Sequence, residues 1–244
     1  MVFNQLKYHY IYLPSIFLIW LALFIDSKQI SEIISYNQQI SNLIVILTYI
    51  YIYKKVTVKI KKLMIYGLFL ALVGETLFAL VLGMYTYRLE NLPLYVPFGH
   101  CIVYAAVFYI SKENFIKLRK EYVIKVLYIL MSIFSIYWFV MYKDTFGFIC
   151  FLFILYLFYK KPQMRLFYLI MYFMVLYLEL VGTYYNCWVW PDVWFDKISF
   201  ISSANPPSSI SLFYFGFDLG CLWIYKKLNN KIWIRMKNIR SLKI

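Results

Sequence analysis

Long apolar runs alternate with short basic or turn-rich stretches along almost the whole chain. About 20 apolar residues cross the hydrocarbon of a bilayer. The runs near 9–25, 39–53, 64–82, 93–110, 122–141, 145–159, 166–185 and 208–225 therefore predict eight transmembrane helices. The second and sixth are short, which predicts a tilted or partly re-entrant path. The runs are too long for barrel strands and lack period-2 alternation, which argues against a closed β-barrel. Nothing is left over for a soluble domain. The expected fold is an all-α, polytopic membrane protein with one integral domain over 1–244.

Composition agrees with the pattern. The chain is 64% hydrophobic with a mean hydropathy of +0.69, outside the range of soluble domains. Its net charge of +14 changes the picture only through its placement. Lys7, the cluster Lys54 to Lys62, the cluster Lys112 to Lys125, Lys160, Lys161, Arg165 and the residues after the last run put 21 of 25 basic residues on one side. Lys28, Arg88, Lys143 and Lys197 lie on the other, among Asp26, Glu32, Glu90, Asp144, Asp192 and Asp196. That asymmetry predicts both termini in the cytoplasm and the chain in the inner or plasma membrane. The basic loops then face anionic headgroups, which makes lipids the expected partners and argues against nucleic acid. The run from Tyr10 to Ile25 has no small-x-small cleavage site and reads as a retained first span. The tail over 226–244 reads as a basic cytoplasmic segment, either amphipathic on the leaflet or frayed.

Within the runs, the polar residues carry the chemistry. Glu75, His100, Glu179 and Asp218 fall in the third, fourth, seventh and eighth runs. A carboxylate at membrane depth is costly and usually functional. At 1.5 Å of rise per residue, all four can occupy one layer at or just beyond the midplane. Glu75 shares a face with Ala71 and Ala79, Glu179 with Gly182 and Thr183, and His100 with Tyr104, so each points at a neighbouring helix. Gly216 and Gly220 read as a close helix contact with Asp218 on the opposite side. Each acid also has a structural reading, as a hydrogen-bonded bridge between helices. Four cysteines (Cys101, Cys150, Cys187, Cys221) have no metal-ligand spacing, and two histidines are too few for a di-iron site. No metal and no cofactor is expected.

The two glutamates sit in similar contexts. Gly74-Glu75-Thr76-Leu77 leads to Gly83-Met84-Tyr85-Thr86-Tyr87, and Leu178-Glu179-Leu180-Val181 leads to Asn186-Cys187-Trp188-Val189-Trp190. A Pro-led run follows each, through Pro93 and Pro97 or through Asn205-Pro206-Pro207. This predicts a parallel repeat of four plus four spans, with halves near 1–115 and 116–225 and a pseudo-axis along the membrane normal. Tyr85, Tyr87, Trp188 and Trp190 fit an interfacial aromatic belt. Their alternation beside each Glu also makes them candidates, with Tyr104 and Asn205, to line a substrate site.

Glu followed by Gly-x-Tyr-x-Tyr and a Pro-led span, over Gly74 to Gly99 and again over Glu179 to Pro207, resembles the bacterial and archaeal multi-span membrane carotenoid hydratases. The chain departs from that pattern at Asn186, where a Gly is expected, and in its Asn-Pro-Pro-Ser segment. The resemblance implies acid-catalysed chemistry on a polyprenyl chain.

Three functions compete. The first is an intramembrane enzyme, a lyase, hydratase or cyclase, acting on an apolar lipid or isoprenoid, with Glu75, Glu179, His100 and Asp218 as its catalytic groups. The second is a proton-coupled transporter of a small molecule, with the same acids between repeats. The third is a non-catalytic membrane assembly protein.

Overall fold

A computed structural model describes residues 6–231, 233 and 234. The described chain is mostly helical. Its long helices are α1 (His9–Ile25), α3 (Asn37–Lys55), α4 (Val58–Glu75), α5 (Tyr95–Ile110), α7 (Lys120–Tyr142), α8 (Thr145–Lys160), α9 (Arg165–Tyr184) and α10 (Ser211–Leu228). The short helices α2 (Lys28–Ser31) and α6 (Asn114–Leu118) lie in connections. The last part of the basic tail, from 235 on, lies outside the described residues.

The eight long helices follow the eight apolar runs, but their capacity to cross a membrane is unequal. Three are long and apolar enough by themselves: α4 with its continuation to Val81, α7, and α9 with the short turn from Pro162. Helices α1, α5 and α8 are apolar but shorter. Among the described residues, length and composition therefore support three spans where eight are expected. The physical reason is visible in α3, which opens with Asn37, Gln38, Ser41 and Asn42. These side chains close backbone groups of neighbouring elements. Asn37 Nδ2 donates to the carbonyls of Ile25 and Ser27. Ser41 Oγ donates to Ala22 O, and Asn42 Oδ1 accepts from the N–H of Tyr95 at the start of α5. The polar groups that lower its hydropathy tie helix ends together.

Helix α9 is central. It packs on α1, α5, α7 and α10, and α5 packs in turn on α1, α3 and α4. Helix α7 is peripheral: only Met131 and Ser135 are buried, while Ile129, Ile133, Ile136, Val140 and Met141 are exposed. An apolar outer face of that size marks contact with lipid or with another protein. Further large apolar side chains, among them Phe17, Leu43, Leu47, Phe69, Val73 and Phe153, are exposed around the bundle.

Two small ribbons join the helices at one end. Strands β1 (Thr86–Tyr87) and β2 (Trp188–Val189) pair antiparallel, Thr86 against Val189 and Tyr87 against Trp188. Strands β3 (Val193–Trp194) and β4 (Ile198–Ser202) form a second hairpin. Asp144 fastens this end of the second half. Its carboxylate accepts from the N–H groups of Gly147, at the start of α8, and of Ala204 and Ser208. The halves are not packed alike, since α7 lies against α9 whereas α1 has no comparable contact with α4.

Candidate active site

The site is built from two half-sites that meet through the β1–β2 ribbon. Successive strand side chains point to opposite faces, so residues two apart share one. Tyr85 and Tyr87 therefore face the same way, as do Trp188 and Trp190. The α4 helix ends at Glu75 and continues as a π-helical turn over Thr76–Val81. Such turns widen the helix and recur at functional sites. This turn leads the chain back, so that Tyr85 Oη donates to Glu75 Oε2 at 2.5 Å and Tyr87 Oη to the same oxygen at 2.6 Å. From α5, His100 Nε2 lies 2.8 Å from Glu75 Oε1. The second half-site repeats the plan with different donors. The indole N–H groups of Trp188 and Trp190 donate to Glu179 Oε2 at 2.9 and 3.1 Å. Among the described residues, no hydrogen bond reaches Glu179 Oε1.

Both acids are buried, at 7% exposure for Glu75 and 5% for Glu179. The four rings, tilted or edge-on to one another, pack side by side into one aromatic plate beside them. Tyr85 lies 4.6 Å from Trp190 between centroids, and Tyr87 meets Trp188 edge-on at 6.2 Å. The plate, both acids and His100 line one cavity with Gly74, Phe78, Tyr214, Phe217 and apolar residues of α1 and α5. The centre of a water-sized molecule can sweep about 100 Å³ in it.

Close packing holds each donor. A Cβ on Gly182 would fall within the Trp188 indole, so only glycine lets that ring reach Glu179. Trp190 N–H donates to Asn205 Oδ1 at 3.1 Å. Cys187 Sγ contacts Leu23 O at 3.2 Å. On the other strand, Arg88 donates to Asp26 Oδ1 at 2.6 Å and to Asn37 Oδ1 at 3.0 Å, and Tyr95 Oη donates to Asp26 Oδ2 at 2.7 Å. The ribbon is thus pinned on both sides.

Three of the expected site residues do not line this cavity. Asp218 does not join the two glutamates; it is buried on α10 and accepts from Tyr168 Oη at 2.9 Å, beside a separate small cavity. Tyr104 lines that second cavity, not the first. Asn205 holds backbone and does not line the large cavity. The shared-layer estimate brought Asp218 in because it fixes height along the helix, not the direction of the side chain. The expected Gly216–Gly220 contact is also uneven: nothing lies within 4 Å of a Cβ on Gly216, whereas one on Gly220 would meet Leu70 at 3.3 Å. The polar side-chain atoms of the four aromatics are spent on the two carboxylates. Tyr214 and Phe217 were missed. They stack on the His100 ring at 4.4 and 5.2 Å, and their spacing of three on α10 was the available signal.

Comparison with protein-family models, with curated proteins and with solved structures finds no match for the chain.

Proposed function

We propose that the chain is an intramembrane enzyme that performs carboxylate acid–base chemistry on an apolar, lipid- or isoprenoid-type substrate. The observation that carries this reading is the pair of buried glutamates facing one apolar cavity, each held by its own donors, with one oxygen of Glu179 left over. Glu179 Oε1 is the atom that gives a proton to a double bond or leaving group and takes one back. Glu75 Oε2, fixed by two tyrosine hydroxyls, faces the positive charge that develops. The aromatic faces of the plate favour the same charge. Loss of a proton from the cation gives an isomer or a ring; capture of water gives a hydrated product.

Size narrows the substrate. At roughly 10–15 Å³ of such space per water, the cavity takes one end of a chain and not a whole polyprenyl. An open apolar groove between α4, α8 and α10 shares Gly74, Phe78, Phe213 and Phe217 with it. The remainder of the substrate lies there, within reach of the lipid. The resemblance to the carotenoid hydratases supports the same class.

The bundle sits in the membrane with its basic loops on the cytoplasmic side, the shorter apolar helices α5 and α8 crossing within it between the longer spans; the apolar outer face of α7 and the charge asymmetry support this. All four native cysteines are buried, so single added cysteines report orientation cleanly. Asn91→Cys and Asp196→Cys should react with an impermeant maleimide in intact cells, and Lys54→Cys and Lys117→Cys only after permeabilisation. The reverse pattern would invert the bundle.

The functional test is untargeted lipid analysis of cells expressing the wild type, Glu75→Gln or Glu179→Gln. Gln keeps size and hydrogen bonding but carries no titratable proton. The wild type should alter the apolar lipid pool by isomerisation, cyclisation or addition of water, and each variant should abolish the change while still folding. Identical profiles for wild type and both variants would make the acids structural. A second reading, a proton-coupled transporter, is favoured by the separate acid at Asp218, on the far side of His100 from Glu75. Proton uptake by loaded proteoliposomes, without chemical change in the lipid, would select it.

A further inference from the structure

A second cavity lies beside the first, with His100, Tyr214 and Phe217 between them. It is lined by Met64, Gly67, Tyr104, Asp218 and Cys221, among others, and offers about 20 Å³ to the centre of a water-sized molecule. That volume suits one water, which needs roughly 10–15 Å³ and two to four polar partners. The polar partners are present and unspent. Asp218 is 4% exposed and uses only Oδ2, toward Tyr168. Among the described residues, its Oδ1 and the Tyr104 hydroxyl take part in no hydrogen bond. His100, whose side chain is 9% exposed, spends Nε2 on Glu75 and leaves Nδ1 buried without a partner. Native structures rarely leave a buried polar nitrogen without a partner.

We propose that this cavity binds one ordered water that hydrogen-bonds Asp218, Tyr104 and His100 Nδ1, and so joins Asp218 to Glu75 in a single chain of polar groups. The chain runs Asp218, water, His100, Glu75. A proton passed from Asp218 through the water to Nδ1 is matched by one passed from Nε2 to Glu75, so the ring ends with its charge unchanged and its tautomer switched. Asp218 then supplies the large cavity with protons by way of His100 and Glu75. The use of the protons rests on the proposed acid–base function; the water site does not.

The test reads the water and not turnover. The chain has two histidines, and His9→Gln leaves His100 as the sole ring signal in protein labelled with ring-15N histidine. In lipid bilayers, polarisation transferred from water should reach His100 Nδ1 at short mixing times. Gly67→Ala is the plug. Its Cβ would lie 3.4 Å from Cys101 Sγ and 3.7 Å from Cys221 Sγ, in ordinary contact with two residues that line this cavity with it, and Gly67 does not line the larger one. The Nδ1 transfer should vanish in Gly67→Ala while the Nε2 signal keeps its hydrogen-bonded position. Tyr104→Phe, which removes one partner of the water, should weaken the transfer and serves if Gly67→Ala fails to fold. A dry Nδ1 in the parent overturns the proposal. So does a transfer that neither substitution alters, since the water would then reach the ring from the larger cavity. Loss of transfer in Gly67→Ala with no lipid chemistry in the wild type would keep the water site and reject the enzyme.

Discussion

The two half-sites use one plan with different chemistry. Glu75 receives two hydroxyls and an imidazole; Glu179 receives two indoles. Hydroxyl and imidazole groups both donate and accept, whereas an indole N–H only donates. The Glu75 side can therefore reverse its hydrogen bonds and pass protons along. The Glu179 side cannot: it orients its carboxylate and leaves one oxygen facing the cavity. The supports differ too. The position three after each acid is Phe78 in one half and Gly182 in the other, and only the glycine lets an indole lie against the helix. The β1 strand is held by the Arg88–Asp26 ion pair, and β2 by a hydrogen bond from Trp190 N–H to Asn205. A shared spacing of acid and aromatics thus supports two roles, and the donor type separates them.

The strongest way to break the comparison is to release the β1 side. Arg88→Met leaves the fully buried Asp26 without its cation. Removing one partner of a buried pair costs about 3–5 kcal/mol, which should appear as a large drop in thermal unfolding temperature in detergent. An unchanged midpoint would mean the ribbon is held by β2 alone. A more local change is Gly182→Ala, which forces the Trp188 indole away from Glu179. Overpacking of this kind costs about 1–3 kcal/mol, and Trp fluorescence should shift as the ring moves. A variant with native stability and emission would show that the second half-site is loosely packed. The finest comparison sets Tyr87→Phe against Trp188→Phe. The first removes one of three donors at its acid and the second one of two. A buried hydrogen bond contributes about 0.5–1.5 kcal/mol net, so both destabilise. Trp188→Phe should reduce lipid turnover more, because it loosens the acid with the open oxygen. Equal turnover losses would remove the distinction between the halves.

Much of the site was readable because its contacts are local. Tyr85 and Tyr87 follow Glu75 by ten and twelve residues, and Trp188 and Trp190 follow Glu179 by nine and eleven. One reversal of the chain brings each pair back to its acid, whatever the rest of the fold does. Asp218 was grouped with the wrong cavity because rise along a helix gives depth but not rotation, and Tyr104 because it shares a face with His100, which lines both cavities.

What the sequence by itself determined is therefore the set of helical segments and the pairing of each glutamate with its own aromatics. Run length decides the first, and strand period over a short loop decides the second. Tertiary structure alone decided that β1 pairs with β2 across about a hundred residues, bringing the half-sites under one plate. It alone decided that His100 bonds Glu75 and that Asp218 faces a different cavity. These depend on which helix faces which, and on which polar side chains close a neighbour's backbone. Hydrophobic burial does not specify such choices, because it is proportional to area and carries no direction.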